Sequence, residues 1–164
     1  MISKIYILLI LFCLPIFGAA QSYSRSIDKI DSLLAVNQKP ILLFFTADWC
    51  KYCKAMESEV FSDDLIFSIV ENEFYFFHVK DDLKNKISFN GDQYQFIPTG
   101  IEKGYHEFAE EFATIENNIS YPTLTILWNE EELVRISNYL NKEELIVLLN
   151  KVLDKTNALQ KGAR

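Results

Sequence analysis

FFTADWCKYCKAMESEVF, residues 44–61, places Cys50 and Cys53 two residues apart in a chain with one other cysteine, Cys13. The stretch opens inside an apolar run, ILLFFT (41–46), that shows no polar alternation. Such a run reads as a strand buried on both faces, as in parallel sheets. From Cys50 to about Val60 the pattern turns helical, with Cys53, Met56 and Val60 on one face. The pair therefore stands where a buried strand hands over to a helix. It must be a metal clip, a structural staple or a redox centre.

Structural zinc takes four ligands, usually two such pairs or one pair with two nearby histidines. No second pair exists, and the two histidines, His78 and His106, are far apart in sequence. As a staple the pair is poorly spaced, because a disulfide closing two residues hardly restricts the unfolded chain. Redox chemistry fits the spacing better. The thiolate is the attacking species, and an ordinary thiol with pKa about 8.5 is little ionised at neutral pH. A helix N-terminus offers unpaired N–H groups and partial positive charge. Cys50 sits there, with Lys51 and Lys54 adding charge and Trp49 and Tyr52 flanking it. Cys53 follows one turn later on the inward side. Cys50 is thus the candidate nucleophile and Cys53 the candidate resolving thiol.

The remaining elements follow outward from this stretch. RSIDKIDSLLAV (25–36) carries Ile27, Ile30, Leu33 and Leu34 at helical spacing. A short helix over 63–71 is expected after an N-cap at Ser62. FYFFHVK (74–80) reads as a second apolar strand, and ISFNGDQYQF (87–96) as a hairpin around Asn90-Gly91. GYHEFAEEFATI (104–115) predicts a helix with Tyr105, Phe108, Phe112 and Ile115 in one stripe. Two antiparallel strands (123–128, 132–137) and an Asn-capped helix (141–153) complete the chain. The expected fold class is α/β, a mixed sheet of about four strands flanked by helices. Two strands joined through a helix pair in parallel.

MISKIYILLILFCLPIFGAA (1–20) has one charge, a short apolar run and small residues at its end. That is the pattern of a secretory signal, with cleavage expected after Ala20 and Cys13 leaving with it. The run is short for a bilayer span, which makes an uncleaved anchor the less favoured alternative. Residues 21–164 then form one domain in a periplasmic or secreted setting, where disulfides persist. The net charge is −7, and no basic stripe offers a surface for nucleic acid. His106 reads as a solvated helix residue, His78 as a satisfied core histidine, and Glu130 to Glu132 as a solvated turn.

ADWC-x-x-C-K after a strand, a helix behind it, and Tyr121-Pro122-Thr123 opening a later strand resemble the thioredoxin superfamily. The longer block ADWCKYCKAMESEVFSDD is similar to thioredoxin-like modules of bacterial envelope proteins, among them the C-terminal domain of DsbD-type electron transporters. The resemblance implies a cis Tyr121–Pro122 bond in a loop beside the cysteines that pairs with a substrate strand. Trp49, Lys51, Tyr52, Tyr121 and Pro122 become expected substrate contacts. It implies an exported thiol–disulfide oxidoreductase, with reduction the favoured direction and the Cys50–Cys53 disulfide in place of any cofactor. Its partners would be protein thiols or disulfides and a redox protein, with a membrane met only through a partner or an uncleaved signal. Four departures stand out. Phe44 occupies a position where many thioredoxins keep a buried Asp, which leaves water or a group such as Glu57 to deprotonate Cys53. Lys51-Tyr52 replaces Gly-Pro, the helix lacks its kink-forming Pro, and residues 81–104 with their hairpin form an insertion. A redox-inactive peptide-binding or chaperone module on the same fold is the alternative.

Overall fold

The computed structural model describes residues 30–101 and 103–162, so the expected signal segment and the first part of the 25–36 helix lie outside the described residues. The order is α1 (Ile30–Val36), β1 (Ile41–Thr46), α2 (Lys51–Ala55, continued by a wider turn over Met56–Val60), α3 (Asp64–Glu73) and β2 (Tyr75–Lys80). Then come β3 (Ile87–Phe89), β4 (Asp92–Tyr94), β5 (Phe96–Gly100), β6 (Lys103–His106), α4 (Glu107–Ala113), β7 (Thr114–Ile115) and β8 (Asn118–Ile119). β9 (Thr123–Trp128), β10 (Glu131–Ile136) and α5 (Lys142–Gly162) follow.

A mixed four-stranded sheet in the order β10-β9-β1-β2 forms the centre. β1 runs parallel to β2, with Phe44 opposite His78, and antiparallel to β9, with Phe44 opposite Leu124. All six residues of β1 are buried, as its unbroken apolar run requires. Side chains alternate across a strand, so β1 feeds two cores. Ile41, Leu43 and Phe45 join Ile30, Phe77, Phe89, Tyr94, Phe108 and Phe112 on the α1/α4 side. Leu42 and Phe44 join Met56, Val60, Ile66, Val70, Leu145 and Leu149 on the α2/α3/α5 side. The sheet is flanked by helices on both faces, as expected.

Helix boundaries are set by side-chain caps. Asp63, rather than Ser62, caps α3, its Oδ1 accepting from the N–H groups of Leu65 (3.0 Å) and Ile66 (3.3 Å). Ser62 instead donates back to the carbonyl of Ser58. Lys142 Nζ reaches Asp63 Oδ2 at 2.9 Å and holds that carboxyl below its ordinary value. Asn141 and Glu144 form a reciprocal capping box at the start of α5. That helix continues past the expected end at residue 153 to Gly162.

The segment after β2 differs most from expectation. Asn90 (φ 55°) and Gly91 (φ 83°) make the hairpin turn between β3 and β4, as the Asn-Gly pair signals. A second hairpin, β5–β6, follows at once, so Phe96 starts a new strand rather than ending the first hairpin. Residues 104–106 are strand, not helix. A Cβ on Gly104 would lie 2.4 Å from both the Ile97 carbonyl and the Phe96 ring, so only glycine permits this close pairing. α4 begins at Glu107 because His106 caps it, Nδ1 accepting from the Phe108 N–H at 3.1 Å while Nε2 meets the Asn85 carbonyl at 2.9 Å. His106 is therefore buried, not solvated, and Tyr105 and Ile115 belong to flanking strands.

Phe108 is fully buried, with ring centroids of Phe112, Tyr94, Phe89 and Phe45 4.7–6.0 Å away. Phe108→Ala is expected to cost about 3–5 kcal/mol by the usual loss on emptying an aromatic core site. His106→Ala, which removes a cap and orphans a carbonyl partner, is expected to cost about 1–2 kcal/mol. Urea unfolding of the oxidised variants checks both, and an unchanged midpoint for Phe108→Ala would contradict this account of the core.

Candidate functional site

The site lies at the C-terminal end of β1. Thr46 closes the strand, the turn Ala47–Trp49 follows, and Cys50 N–H bonds the Ala47 carbonyl at 2.9 Å. Cys50 is the N-cap of α2, with extended backbone (φ −80°, ψ 104°), and its Sγ accepts from the Cys53 N–H at 3.1 Å. The first helical turn thus directs an amide hydrogen at this sulfur, as a cap position demands. Cys50 and Cys53 form a disulfide, with S–S 2.06 Å and Cα–Cα 5.3 Å. Cys50 keeps 4% of its surface and Cys53 none. The inward placement of the second cysteine agrees with its position on the buried stripe, three residues before Met56.

The helix does not stay regular. Phe61 N–H reaches back five residues to the Met56 carbonyl (2.8 Å), and Ser58 Oγ donates to the Lys54 carbonyl (2.8 Å). This wider turn over Met56–Val60 occupies the stretch where a kink-forming proline is absent. Such turns inside helices often accompany functional sites.

The expected contact residues surround the disulfide. Trp49 is 74% and Tyr52 64% exposed, although both are large aromatics. Lys51 and Lys54 are exposed on the same first turns. The Tyr121–Pro122 bond is cis. Tyr121 packs on Ala47, Cys50 and Cys53, and its ring stands edge-on to Trp49 at 6.0 Å. Burial pushes its phenol up to about 12, and the charge of Asp81 acts in the same direction. Pro122 is buried, and its carbonyl accepts from Ser137 Oγ at 3.3 Å. Thr123 Oγ1 donates to the Ser120 carbonyl at 2.7 Å, which fixes the loop from its other end.

Two features were not visible in the spacing. Tyr139, three residues beyond β10, comes within 6.2 Å of the Tyr52 ring and adds a second aromatic pair beside the first. Only the return of β10 alongside β9 brings it there. Beneath the helix, Phe44 stacks on His78 at 5.4 Å and tilts against Phe61 at 4.7 Å. His78 keeps 20% of its side chain exposed, with Nε2 2.7 Å from Thr46 Oγ1 and 3.4 Å from Glu57 Oε1. It has polar partners as expected, yet it is a rim residue rather than a core one. Among the described residues, no three His, Cys, Asp or Glu side chains stand together so as to hold a metal ion.

The geometry joins a disulfide, a helix N-terminus and a cis-proline loop, an arrangement that supports thiol–disulfide exchange in general. Similarity to known proteins points the same way. The chain is 23% identical over 124 residues to the thiol:disulfide interchange protein DsbD of Campylobacter jejuni, covering 76% of this chain and 18% of that protein. It therefore spans under a fifth of the curated relatives it matches. Its fold is similar to a thioredoxin from Thermus thermophilus, with TM-score 0.55 and 20% identity over 87% of this chain and 97% of that one. It is also similar to the oxidised C-terminal domain of DsbD from Neisseria meningitidis, with TM-score 0.53 and 17% identity over 74% and 88% of the two chains. The thioredoxin-like domain family matches residues 28–153, most of the chain, and this protein belongs to it.

Proposed function

We propose that the protein is an exported thiol–disulfide oxidoreductase that exchanges disulfides with protein substrates through Cys50 and Cys53. One observation carries the reading: the lone cysteine pair is split between a helix N-cap, where an amide N–H meets Cys50 Sγ, and a site with no exposed surface at Cys53. In the reduced form, the N-cap amide and the helix dipole stabilise a Cys50 thiolate. That thiolate attacks one sulfur of a partner disulfide, forming a mixed disulfide and expelling the partner's other thiolate. Cys53 then attacks Cys50 Sγ, the mixed bond breaks, and a second partner thiolate leaves. Two electrons pass to the partner and the Cys50–Cys53 disulfide remains.

Trp49, Lys51, Tyr52, Tyr121 and Pro122 supply the partner's contact surface, which explains why two large aromatics stay exposed beside a buried disulfide. No separate cofactor is required, because the disulfide itself carries the electrons. Reduction of substrates is the favoured direction, supported by similarity to a module of DsbD proteins. A periplasmic or secreted location rests on the signal-like residues 1–20 and on that same similarity. No described helix is long and apolar enough to cross a membrane.

The second reading is a redox-inactive module that holds a peptide over a permanent disulfide. Phe44, an apolar residue next to the buried thiol's helix, favours it. A reduction potential below about −300 mV, typical of inert structural disulfides, would select this reading.

Titrating the reduced protein by thiolate absorbance is expected to show two separate ionisations, Cys50 below the ordinary value of about 8.5 and Cys53 above it. Cys50→Ser is expected to lower the rate of disulfide reduction by roughly 100-fold or more, the scale of removing a nucleophile. Cys53→Ser is expected to accumulate mixed disulfides. Undiminished turnover in Cys50→Ser would end the proposal.

A further inference from the structure

The loop from Ser120 to Thr123 is tied at both ends and open in the middle. Ser120 N–H donates to the Ala113 carbonyl at 2.9 Å, and the Ser120 carbonyl accepts from Thr123 Oγ1 at 2.7 Å. The Pro122 carbonyl accepts from Ser137 Oγ at 3.3 Å. Between these two carbonyls lies Tyr121, whose own N–H and C=O make no hydrogen bond among the described residues. Main-chain groups need hydrogen-bond partners, so this open pair is available to an incoming chain. Tyr121 also packs on Cys50 and Cys53, which sets the opening next to the sulfurs.

The two pins differ in reach. Thr123 is fully buried and closes its bond within the loop itself, three residues back. Ser137 comes from a separate segment, fifteen residues beyond Pro122. β10 runs antiparallel to β9 with Ile136 opposite Leu124, and this pairing carries residue 137 to the start of β9. Two residues later Tyr139 meets the Tyr52 ring at 6.2 Å, while Tyr121 meets the Trp49 ring at 6.0 Å. The Ser137 hydroxyl thus joins the segment that bears one aromatic pair to the segment that bears the other.

We propose that Ser137 is a positioning residue for partner binding: its hydroxyl holds the Pro122 carbonyl and so aims the open main chain of Tyr121 at the partner's peptide backbone. The partner class that uses this device is an extended polypeptide around its own disulfide. A main chain supplies a carbonyl for the Tyr121 N–H and an N–H for the Tyr121 carbonyl. A small disulfide without peptide groups reaches Cys50 without either. The inference rests on the dithiol reading above and on Tyr121 as a partner contact. Ser137 itself touches neither sulfur, and no proton or electron passes through it. Without the hydroxyl, the carbonyl of the buried Pro122 loses its partner. The loop then spends part of its time turned away, and binding weakens by the fraction that remains correctly turned.

The test compares two disulfides. Insulin carries its disulfides in polypeptide, and 5,5′-dithiobis(2-nitrobenzoate) has no peptide group. The reduced full chain, freed of reductant, is mixed with an excess of either. The loss of its thiols is followed over a range of disulfide concentrations. Wild type, Ser137→Ala and Ser137→Thr are compared at one pH. Ser137 is half-buried and uncharged, and its change to alanine removes a single oxygen, so the fold is retained. In Ser137→Ala the half-saturating concentration of insulin is expected to rise roughly 3- to 10-fold, the scale of one hydrogen bond, with the saturated rate unchanged. The rate with 5,5′-dithiobis(2-nitrobenzoate) is expected to stay as in wild type. Ser137→Thr keeps the donor and is expected to match wild type with both. An unmoved insulin value in Ser137→Ala, or an equal loss with both disulfides, overturns the inference while the dithiol reading stands. A rise in Ser137→Thr as large as in Ser137→Ala overturns it as well. A wild type that reacts with neither disulfide overturns the dithiol reading and this inference with it.

Discussion

Burial of β1 on both faces is the constraint on which the molecule turns. Six consecutive buried residues, none more than 4% exposed, specify register strongly. Their two alternating sets anchor α1 and α4 on one side and α2, α3 and α5 on the other. Because β1 cannot shift, the point where it leaves the sheet is fixed, and so is the start of α2. Cys50 inherits its place from that exit. Neither the helix field at Cys50 nor the burial of Cys53 would be reproducible on a strand free to slide.

Around this exit the chain gathers groups from three distant segments. The loop before β9 brings Tyr121 and Pro122, the residues after β10 bring Tyr139, and β2 brings His78. None of the three is adjacent to the cysteines in sequence. The antiparallel pairing of β9 with β1 and the parallel pairing of β2 with β1 carry them to one end of the sheet. The exposed Trp49 and Tyr52 lie on the outer side, and the His78–Glu57 contact lies beneath the helix.

Much of this was legible in the residues. The unbroken apolar run at 41–46, the Asn90-Gly91 turn and the Asn141 cap each signal one structure through one physical preference, and each forms it. Cys50 and Cys53 could be placed on outer and inner positions from helical spacing alone. Reading failed where two signals overlapped. Tyr105, Phe108, Phe112 and Ile115 fit a helical stripe, but Gly104 and Tyr105 alternate equally well as a strand, and pairing with Ile97 decides between them. His106 looked solvated because the stripe avoids it, and its capping role depends on Asn85, distant in sequence. Ser62 and Asp63 are both good caps, and Lys142, far along the chain, tips the choice toward Asp63. Tyr139 and the His78–Glu57 contact arise only from tertiary pairing, so no local pattern announces them.

The extra length of α5 has a geometric result. Its last turns, at Thr156, Asn157 and Gln160, lie with Asn37, Pro40 and Trp128, at the pole of the sheet where β1 begins and β9 ends. The disulfide occupies the opposite pole. A tether, label or solid support joined at Gly162 would therefore anchor the molecule by its blunt side, with the sulfur-bearing end projecting into solution.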